Sequence, residues 1–312
     1  MTNNGHKLTV LIPTYNEEDL IAQAIKSVLW ADEIFVVDSF STDKTVEIAE
    51  SYGARVIQRK FTYHADQKNW AIPKSKYDWI LVLDSDEVVT DELRDNIKKL
   101  LNSGEGMNKY DGYEIARKHF FLKKFLRWGG RYPLYNVRLF KRTIRYEDRN
   151  VHEHIILPKD KMQVVDGDML HYSDRSLSQF FEKFNRYSTQ QANYMVKAHE
   201  SIFKTKVDLK QFFTNGLYTK ALIKDVWFFI PGTSFARFVY MYIVRFGFLD
   251  GRYGFLIAVL YAFQDYVSKT KYLEMRDKTP KIRLAIQEFI TNNCDALNCN
   301  MKNDFSLKSN NI

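Results

Sequence analysis

The first hundred residues alternate between two kinds of hydrophobic pattern, and this alternation limits the fold more than any other feature. Short apolar runs rich in β-branched residues predict buried strands, and segments with apolar residues at helical spacing follow them. The predicted strands are residues 8–12, 33–38, 54–58 and 79–83, and the predicted helices are residues 17–30, 45–52, 64–74 and 91–101. Strands joined by crossover helices form right-handed units, so the sequence predicts an α/β fold with a mostly parallel sheet flanked by helices.

Polar or acidic residues directly follow three of these predicted strands. In a parallel sheet, ligands bind beyond the carboxyl ends of the strands, so we expect these side chains to line one edge and one site. The segments are Pro13-Thr14-Tyr15-Asn16, Asp38-Ser39 and Asp84-Ser85-Asp86.

The acidic pair after the fourth strand predicts a metal site. Mg²⁺ and Mn²⁺ prefer carboxylate and phosphate oxygens, and Asp84 and Asp86 can face one such ion if the chain turns there. A cation in this place would neutralise a departing diphosphate, as nucleotide-sugar transfer requires. A solvated turn, or a helix cap leading to Glu87, is the alternative for this segment.

The ends of the first two strands offer groups for a nucleotide. The Asp38 carboxylate can accept the N–H of uracil or a similar base, and Pro13 and Tyr15 can flank the base and the ribose. Asp38 can instead cap the next helix, a role that Ser41 or Asp43 could also fill. Pro13 and Tyr15 can instead belong to a simple strand-to-helix turn.

Three motifs in this order resemble family 2 glycosyltransferases of the GT-A fold. The motifs are residues 10–18, 36–43 and 83–87, within a resemblance that covers residues 8–171. The resemblance implies nucleotide contacts from Pro13, Thr14, Tyr15, Asn16, Glu17, Asp38, Asp84 and Ser85. It also implies that Asp86 ligates the metal and that Asp84 touches the metal or the ribose. The family's usual Asp-Asp-Gly-Ser stretch reads Asp38-Ser39-Phe40-Ser41 here, which keeps the first aspartate.

Further motifs resemble the branch of this family that includes lipopolysaccharide-core β-glucosyltransferases. They are residues 135–142, 150–153 and 247–251. Inverting transfer to a lipid-linked glycan or a lipopolysaccharide core needs one general base for the acceptor hydroxyl. The candidates are Asp148, Glu153, Asp166 and Asp168. We favour Glu153, because the Val-His-Glu match places it where the family has its base; an ion pair with Arg145 or Arg149 is its alternative role.

Other polar residues are candidates for the metal, the diphosphate or the acceptor. His171 can be a second protein ligand to the metal, after a short apolar turn, or a packed core histidine. The candidates for diphosphate or acceptor contacts, each with a structural or surface role as the alternative, are His152, His154, Arg138, Lys183 and Arg186. The basic and aromatic stretch 117–131 is a candidate acceptor lid in which Trp128 stacks on a sugar ring, with an ordinary basic loop as the alternative.

Charge and aromatic content suggest where such an enzyme works. The formal net charge is +8, from 46 Lys and Arg against 38 Asp and Glu, and 15% of the residues are aromatic. The basic residues concentrate from Arg117 onward among aromatics, a pattern that favours a membrane surface over nucleic acid as the partner. With only Cys294 and Cys299, a disulfide framework is not expected, and we predict a cytoplasmic protein peripheral to the inner face of the cell membrane.

The domain organisation follows from the same patterns. We expect a catalytic domain over residues 1–200, a helical amphipathic region at the membrane surface over 201–300, and a disordered tail over 301–312. No apolar stretch is both long and uninterrupted enough to predict a transmembrane helix. Buried helices of the domain are the alternative for the amphipathic region.

Three other functions compete with glycosyl transfer to a lipid-linked acceptor. A polyprenyl-phosphate sugar synthase would use an acceptor phosphate and usually has full transmembrane helices. A sugar-phosphate nucleotidyltransferase would need a glycine-rich basic loop after the first strand, whereas Pro13 to Glu18 is acidic. A non-enzymatic module on the membrane surface would not need Asp84, Asp86 and Glu153 together.

Overall fold

A computed structural model describes residues 5–103, 105–147, 154–174, 176–204, 230 and 232–276. The chain divides into two compact units. The first unit comprises Met1–Phe180 and Phe238–Val259, and the second comprises Phe181–Arg237 and Leu260–Ile312. Each unit is described by itself below.

The first unit contains one sheet. Some of its strands come from the first hundred residues, as predicted, and the others come from the later part of the chain. The strands are β1 (Leu8–Thr14), β2 (Glu33–Asp38), β3 (Arg55–Gln58), β4 (Trp79–Val82), β5 (Glu87–Val89), β6 (Gly112–Phe121), β7 (Lys124–Phe125), β8 (Leu134–Lys141) and β9 (Met162–Asp174). Their order across the sheet is β3-β2-β1-β4-β8-β6-β9-β5, with β7 paired to β6.

The four strands predicted in the first hundred residues are parallel neighbours, which confirms the α/β prediction. β1 pairs with β2 and β4, and β2 pairs with β3. The expectation of a mostly parallel sheet is wrong, because β8 lies antiparallel to both β4 and β6, and β5 lies antiparallel to β9. β6 and β8 are joined through the short strand β7 and not by a crossover helix, so they can run in opposite directions. The sheet is therefore mixed.

Helices lie at the four predicted places in the first unit, with different lengths, and a fifth short helix that was not predicted follows them. They are α1 (Ile21–Lys26), α2 (Thr45–Ser51), α3 (His64–Ala71), α4 (Asp91–Ser103) and α5 (Glu105–Lys109). α1 is shorter than the predicted helix because residues 17–20 and 27–30 form turns at its two ends. A 3₁₀ turn, Ile72–Lys74, continues α3, where Pro73 lacks the amide hydrogen that an α-helix needs.

Both faces of β1, β2 and β4 are largely buried, as their continuous apolar runs require, whereas the edge strand β3 is partly exposed. Leu8, Val10 and Ile12 point into one core cluster, which also contains apolar residues of α1 and α4. Leu11 points into a second cluster on the other face, with Ala65 and Ala71 of α3 among its members. The alternation of side chains along β1 therefore fixes which helix covers which face of the sheet.

The second unit is helical where it is described. α6 (Leu177–Lys204) belongs to it from Phe181 onward, and α7 (Thr233–Val239) and α8 (Gly251–Arg276) each include residues of both units. Met195 of α6 packs with Tyr272 of α8, and the Lys271 ammonium donates to the Asn185 side-chain oxygen at 2.6 Å. Within the described residues, none of the helices combines the length and the hydrophobicity that crossing a bilayer takes.

The predicted domain boundaries at residues 200 and 300 stay a prediction. The structure assigns Phe238–Val259 to the unit that carries the sheet, although these residues fall in the predicted membrane-surface region. Much of that region, and all of the predicted tail over 301–312, lies outside the described residues.

Candidate active site

The loops that follow β1 and β2 are joined by hydrogen bonds at the carboxyl edge of the sheet. The Asn16 amide donates to the Ser41 hydroxyl at 2.9 Å, and the Thr42 amide donates to the Asn16 side-chain oxygen at 2.8 Å. The Glu17 amide donates to the Thr45 hydroxyl at 2.8 Å. Asn16 has a φ of 52°, a left-handed conformation that asparagine tolerates better than most residues. The predicted nucleotide segment is thus held against the turn after β2.

Asp38 is buried at the end of β2 and organises the turn that follows it. Its carboxylate accepts hydrogen bonds from the Ser41 amide at 2.9 Å and from the Gln58 side-chain amide at 3.0 Å. Asp43, and not Asp38, caps the next helix through the Thr45 amide at 3.0 Å. The Ser41 hydroxyl also donates to this carboxylate, which is fully buried, so internal hydrogen bonds fix the orientation of Asp38.

The acidic segment after β4 forms a tight turn closed by its own glutamate. The Glu87 amide donates to the Asp84 carbonyl at 2.9 Å, and the Asp84 amide donates to the Glu87 carboxylate at 3.0 Å. Ser85 and Glu87 are buried, whereas the Asp86 side chain retains 19% of its exposure. The Asp84 side chain is 30% exposed, so the turn leaves both aspartates partly accessible and buries Glu87.

Buried cations surround Asp84. Its two carboxylate oxygens lie 2.8 Å from an Arg138 nitrogen and 3.2 Å from the Lys68 ammonium. Burial by itself would raise the pKa of Asp84, but the charges of Arg138 and Lys68 outweigh it and hold that pKa well below the ordinary value. Asp84 is thus ionised at neutral pH, with its orientation fixed.

Glu87 extends the same charge cluster. Its carboxylate is fully buried and accepts from Arg138 at 2.8 Å and from Arg117 at 3.1 Å. Three cations, Lys68, Arg117 and Arg138, therefore meet two carboxylates around this turn. The sequence predicted Arg138 as a diphosphate contact, and the structure shows it bound to Asp84 and Glu87. The contacts of Lys68 and Arg117 and the burial of Glu87 were not predicted from the sequence.

Asp86 and His171 meet across the β5–β9 pair. The register places Glu87 opposite His171, and an Asp86 carboxylate oxygen lies 3.4 Å from the His171 Nε2 atom. His171 belongs to strand β9, so the expected apolar turn before it is wrong. Its Nδ1 atom lies 2.9 Å from the His119 Nδ1 atom. Burial, reinforced by His171 and neighbouring arginines, lowers the pKa of His119, so this second histidine is neutral at pH 7.

The donor set of Asp86 and His171 fits part of a divalent-cation site. A carboxylate oxygen and an imidazole nitrogen converge there, both of which ligate Mn²⁺ and similar ions. Across the described ranges no group of three or more His, Cys, Asp and Glu side chains could hold a metal by itself. An ion at this place would need further oxygen ligands, such as those of a diphosphate.

Asp168, one of the candidate bases, is engaged by neighbouring side chains. Its carboxylate accepts from the Tyr132 hydroxyl at 2.9 Å and lies 2.5 Å from the Lys118 ammonium. Burial, with the Asp168 hydrogen bond and charge, raises the pKa of Tyr132 to about 12. Asp166 is exposed on the same strand, and its carbonyl accepts from Asn96.

The loop that carries Trp128 is anchored by residues far along the chain. The Trp128 amide donates to the Asp250 carboxylate at 2.8 Å, and the Gly129 amide donates to the Arg245 carbonyl at 2.9 Å. The Trp128 ring meets the Phe246 ring edge-on at 6.1 Å. Arg117 to Phe121 of the predicted lid belong to β6, so only the residues after that strand can form a loop.

Several predicted residues are not placed at this site. His152, Glu153 and Asp148 lie outside the described residues, so the structure does not test the favoured base. Lys183 and Arg186 belong to α6 in the second unit. The residues that the structure does gather at one edge of the sheet are those after β1, β2 and β4, together with His171.

Comparison with known proteins gives three further findings. The model of the family described as Glycosyl transferase family 2 matches residues 9–155. An uncharacterized glycosyltransferase of Rickettsia typhi is 32% identical over 295 residues, which cover 88% of this chain and 90% of the relative. The lipopolysaccharide core biosynthesis glycosyltransferase LpsC of Rhizobium meliloti is 28% identical over 225 residues, which cover 68% of this chain and 82% of the relative.

Among solved structures, the match to glucosyl-3-phosphoglycerate synthase of Mycobacterium tuberculosis, in complex with Mn²⁺, UDP and phosphoglyceric acid, is partial. It has 25% identity and a TM-score of 0.30, and it covers 38% of this chain and 44% of that structure.

Proposed function

Because this chain belongs to glycosyl transferase family 2, we propose that it transfers a sugar, with inversion, from a UDP-linked donor to a hydroxyl of a lipid-linked glycan or lipopolysaccharide core. The observation that carries the proposal is the meeting of Asp86 and His171 beside the loops after β1 and β2. The mixed α/β sheet is consistent with the GT-A fold expected for this family.

The donor nucleotide is proposed to bind along the carboxyl edge of the sheet. The segment Pro13-Thr14-Tyr15-Asn16-Glu17 and the Asp38 turn form adjoining walls there, because hydrogen bonds join them. Asp38 supplies an acceptor for a base N–H, and Asp84 and Ser85 lie at the next strand end for the ribose and phosphates. The site is preorganised, since these groups are already oriented by neighbouring side chains.

Asp86 and His171 are proposed to hold Mg²⁺ or Mn²⁺ together with the donor diphosphate, with Asp84 beside the ion or the ribose. When bound, such a cation stabilises the negative charge on the leaving diphosphate. The protein adds its own positive charge, since Lys68, Arg117 and Arg138 outnumber the carboxylates that they contact. This excess favours a dianionic or trianionic group at the same place.

Glu153 is proposed as the general base, on the strength of its sequence motif. A carboxylate in this role takes the acceptor proton as the new glycosidic bond forms. Asp168 is less suited to it, because Tyr132 and Lys118 already bind its carboxylate.

The acceptor is proposed to lie near the Trp128 loop. The relative named for lipopolysaccharide core biosynthesis motivates this acceptor class. An aromatic ring on a loop that is fixed by Asp250 offers a stacking surface for a sugar. His152, Arg138 and Arg186 remain proposed acceptor or diphosphate contacts.

The membrane surface is proposed as a partner, with the protein peripheral on the inner face of the cell membrane. Large apolar side chains are about half exposed in a short part of the first unit, at Ile243, Val244, Phe246, Phe248 and Leu249. Arg245 and Arg252 are exposed beside them. Apolar residues flanked by cations suit the interface of a membrane that contains anionic lipids.

A donor screen tests the proposed reaction. The full-length protein is incubated with UDP- and GDP-sugars, with and without Mn²⁺, and release of the nucleoside diphosphate is measured. We expect release from at least one UDP-sugar, loss of that release with a chelator, and a loss of about 10³-fold in Asp86→Ala. Asp95→Ala, which removes an exposed carboxylate paired with Arg94, is the matched control and should stay active. Release that persists undiminished in Asp86→Ala would remove the metal role from Asp86.

A further inference from the structure

Phe40 has a backbone conformation that its side chain disfavours. It lies in the turn after β2 and has a φ of 62°, in the left-handed region. Glycine adopts this region without steric cost, whereas a bulky residue there is an outlier. A sequence selected only for folding would be better served by glycine at this position.

The Phe40 ring does not stabilise the fold in return. Its side chain is 53% exposed, and it takes part in no aromatic pair among the residues that the structure describes. Both the strained backbone and the exposed ring are therefore unexplained by packing. Strain of this kind persists where the surroundings enforce it and is concentrated at functional sites.

The surroundings of Phe40 do enforce its conformation. On one side the Ser39 amide donates to the Thr14 carbonyl at 2.9 Å, and on the other the Ser41 amide donates to Asp38 at 2.9 Å. The Ser41 hydroxyl also accepts from the Asn16 amide. The turn cannot relax without breaking these bonds, so the ring is presented in a fixed place.

A second exposed ring lies at the end of the neighbouring strand. The parallel register pairs Thr14 of β1 with Asp38 of β2, so Tyr15 comes one residue and Phe40 two residues after paired strand ends. Tyr15 is 56% exposed. Two aromatic side chains thus flank the edge at which the Asp38 carboxylate is held.

We infer that Phe40 is a stacking residue for the nucleobase of the donor, with Tyr15 beside it. This inference rests on the proposed function and assigns the base-binding surface within it. A base has an apolar face that an exposed aromatic ring can cover, and such stacking needs no further donor or acceptor from the turn. A protein or lipid partner fits less well, because Phe40 stands among Ser39, Ser41 and Thr42 and not in an apolar patch.

Variants of Phe40 in the full-length protein test this role. Binding of UDP, GDP and inorganic pyrophosphate is measured by calorimetry in the presence of Mn²⁺, together with the melting temperature. For Phe40→Gly we expect UDP to bind about tenfold more weakly, equivalent to about 1.4 kcal/mol, while pyrophosphate binding is unchanged. The melting temperature should be equal to or above that of the native protein, because glycine relieves the backbone conformation.

Two further Phe40 variants separate stacking from simple bulk. Phe40→Trp should keep UDP affinity within about twofold, and Phe40→Leu should resemble Phe40→Gly, since leucine covers a base but has no π-face. Leu29→Ala is the matched control, because Leu29 is 53% exposed and precedes β2, at the opposite end of the strand from the site. It should leave UDP binding unchanged.

The outcomes separate the two levels of the proposal. Native UDP affinity in Phe40→Gly overturns the stacking role and leaves the proposed function standing. A lower melting temperature with equal losses for UDP and pyrophosphate also overturns it, in favour of a structural role. A native protein that binds none of the nucleotides overturns the proposed function and this inference together.

Discussion

At the scale of single residues, the site is a balance of buried charges. Glu87 is fully buried and Asp84 largely so, and each would be costly to ionise without a partner. Arg138 bonds to both carboxylates, and Lys68 and Arg117 each bond to one of them. The cluster keeps Asp84 negative and fixed, two residues before the partly exposed Asp86 carboxylate that faces the proposed donor.

Removing Arg138 should therefore destabilise the protein strongly. Breaking a buried ion pair at one partner typically costs about 3–5 kcal/mol, so Arg138→Met should lower the free energy of unfolding at pH 7 by about that amount. Urea unfolding measures the change. Arg94→Met is the matched control, because the Arg94 ion pairs seen among the described residues are with exposed Asp91 and Asp95, and it should change stability by less than about 1 kcal/mol.

The same variant should alter the pH dependence of stability. Folding lowers the pKa of Asp84. The stability that this carboxylate contributes is therefore fully present above pH 3.8, its ordinary pKa, and is lost as the pH falls through the lowered pKa. Without Arg138, burial of Asp84 is less opposed, its folded pKa rises, and acid unfolding should begin at higher pH. If the free energies of unfolding of Arg138→Met and of the native protein differed by the same amount at every pH, that result would contradict this account.

The assignment of the base makes a separate prediction. Glu153→Gln should reduce transfer by about 10²–10⁴-fold while the donor still binds, because the amide cannot accept the acceptor proton. Asp168→Asn should retain transfer within about tenfold, since its carboxylate is occupied by Tyr132 and Lys118. Transfer rates and donor affinity measured for both variants decide the matter; the reverse ranking would make Asp168 the base.

The sequence predicts the position of those residues that directly follow a strand. Asp38, Asp84 and Asp86 come directly after apolar runs, so a strand assignment places them at one edge. Lys68 and Arg117 gave no such signal, because a lysine in a helix and an arginine in a strand are usually solvated. Their burial depends on Asp84 and Glu87 in other elements, which the local sequence does not reveal.

At the scale of elements, two glycines hold the start of α8 against the turn before it. Gly247 lies in the 3₁₀ turn Gly247–Asp250, and a Cβ atom on Gly254 would overlap the Gly247 carbonyl oxygen. Asp250 in the same turn accepts from the Trp128 amide. The motif 247–251 therefore fixes the loop that carries Trp128, a role that only the folded arrangement shows.

Gly254→Ala tests this close approach. Alanine in place of glycine inside a helix usually stabilises by about 1 kcal/mol. Here we expect a loss of about 2–4 kcal/mol in the free energy of unfolding, because the backbone must move apart. Faster proteolysis of residues 127–131 should accompany it. Gly53→Ala, at a φ of 79° with open space around it, should cost only about 1 kcal/mol; a stabilised Gly254→Ala would refute the contact.

Elements were predictable where the hydrophobic pattern is continuous. β1, β2 and β4 are unbroken apolar runs because both of their faces are buried. β9 is not, since Asp166, Gly167 and Asp168 interrupt it at a register shift relative to β6. The sequence therefore showed only a short apolar turn before His171. The pairing of β9 with β5 brings His171 to Asp86, and this long-range contact leaves no signal in the local sequence.

At the scale of the whole molecule, positive charge and exposed apolar groups both suit a membrane. The net charge is +8, and five of the seven residues from Ile243 to Leu249 are apolar and about half exposed. Each side chain that enters the interface adds roughly 1 kcal/mol when about half of it is newly buried. The electrostatic contribution depends on anionic lipid and weakens with salt.

Substituting the exposed apolar residues should weaken membrane binding. With Phe246, Phe248 and Leu249 changed together to serine, we expect sedimentation with vesicles that contain phosphatidylglycerol to fall at least tenfold in affinity. Ile156→Ser is the control, since Ile156 is exposed elsewhere in the first unit. Unchanged sedimentation of the triple variant, with an unchanged melting temperature, would place the membrane contact elsewhere or remove it.

The central claim is sugar transfer with inversion to a lipid-linked acceptor, and product stereochemistry tests it most directly. The protein is incubated with Mn²⁺, a UDP-α-sugar labelled with ¹³C at the anomeric carbon, and truncated lipopolysaccharide. The label in the lipid fraction is then examined by NMR. The account predicts labelled lipid whose anomeric one-bond coupling is that of a β-glycoside. An α-linked product, or nucleotide release with no label in any lipid acceptor, would contradict it.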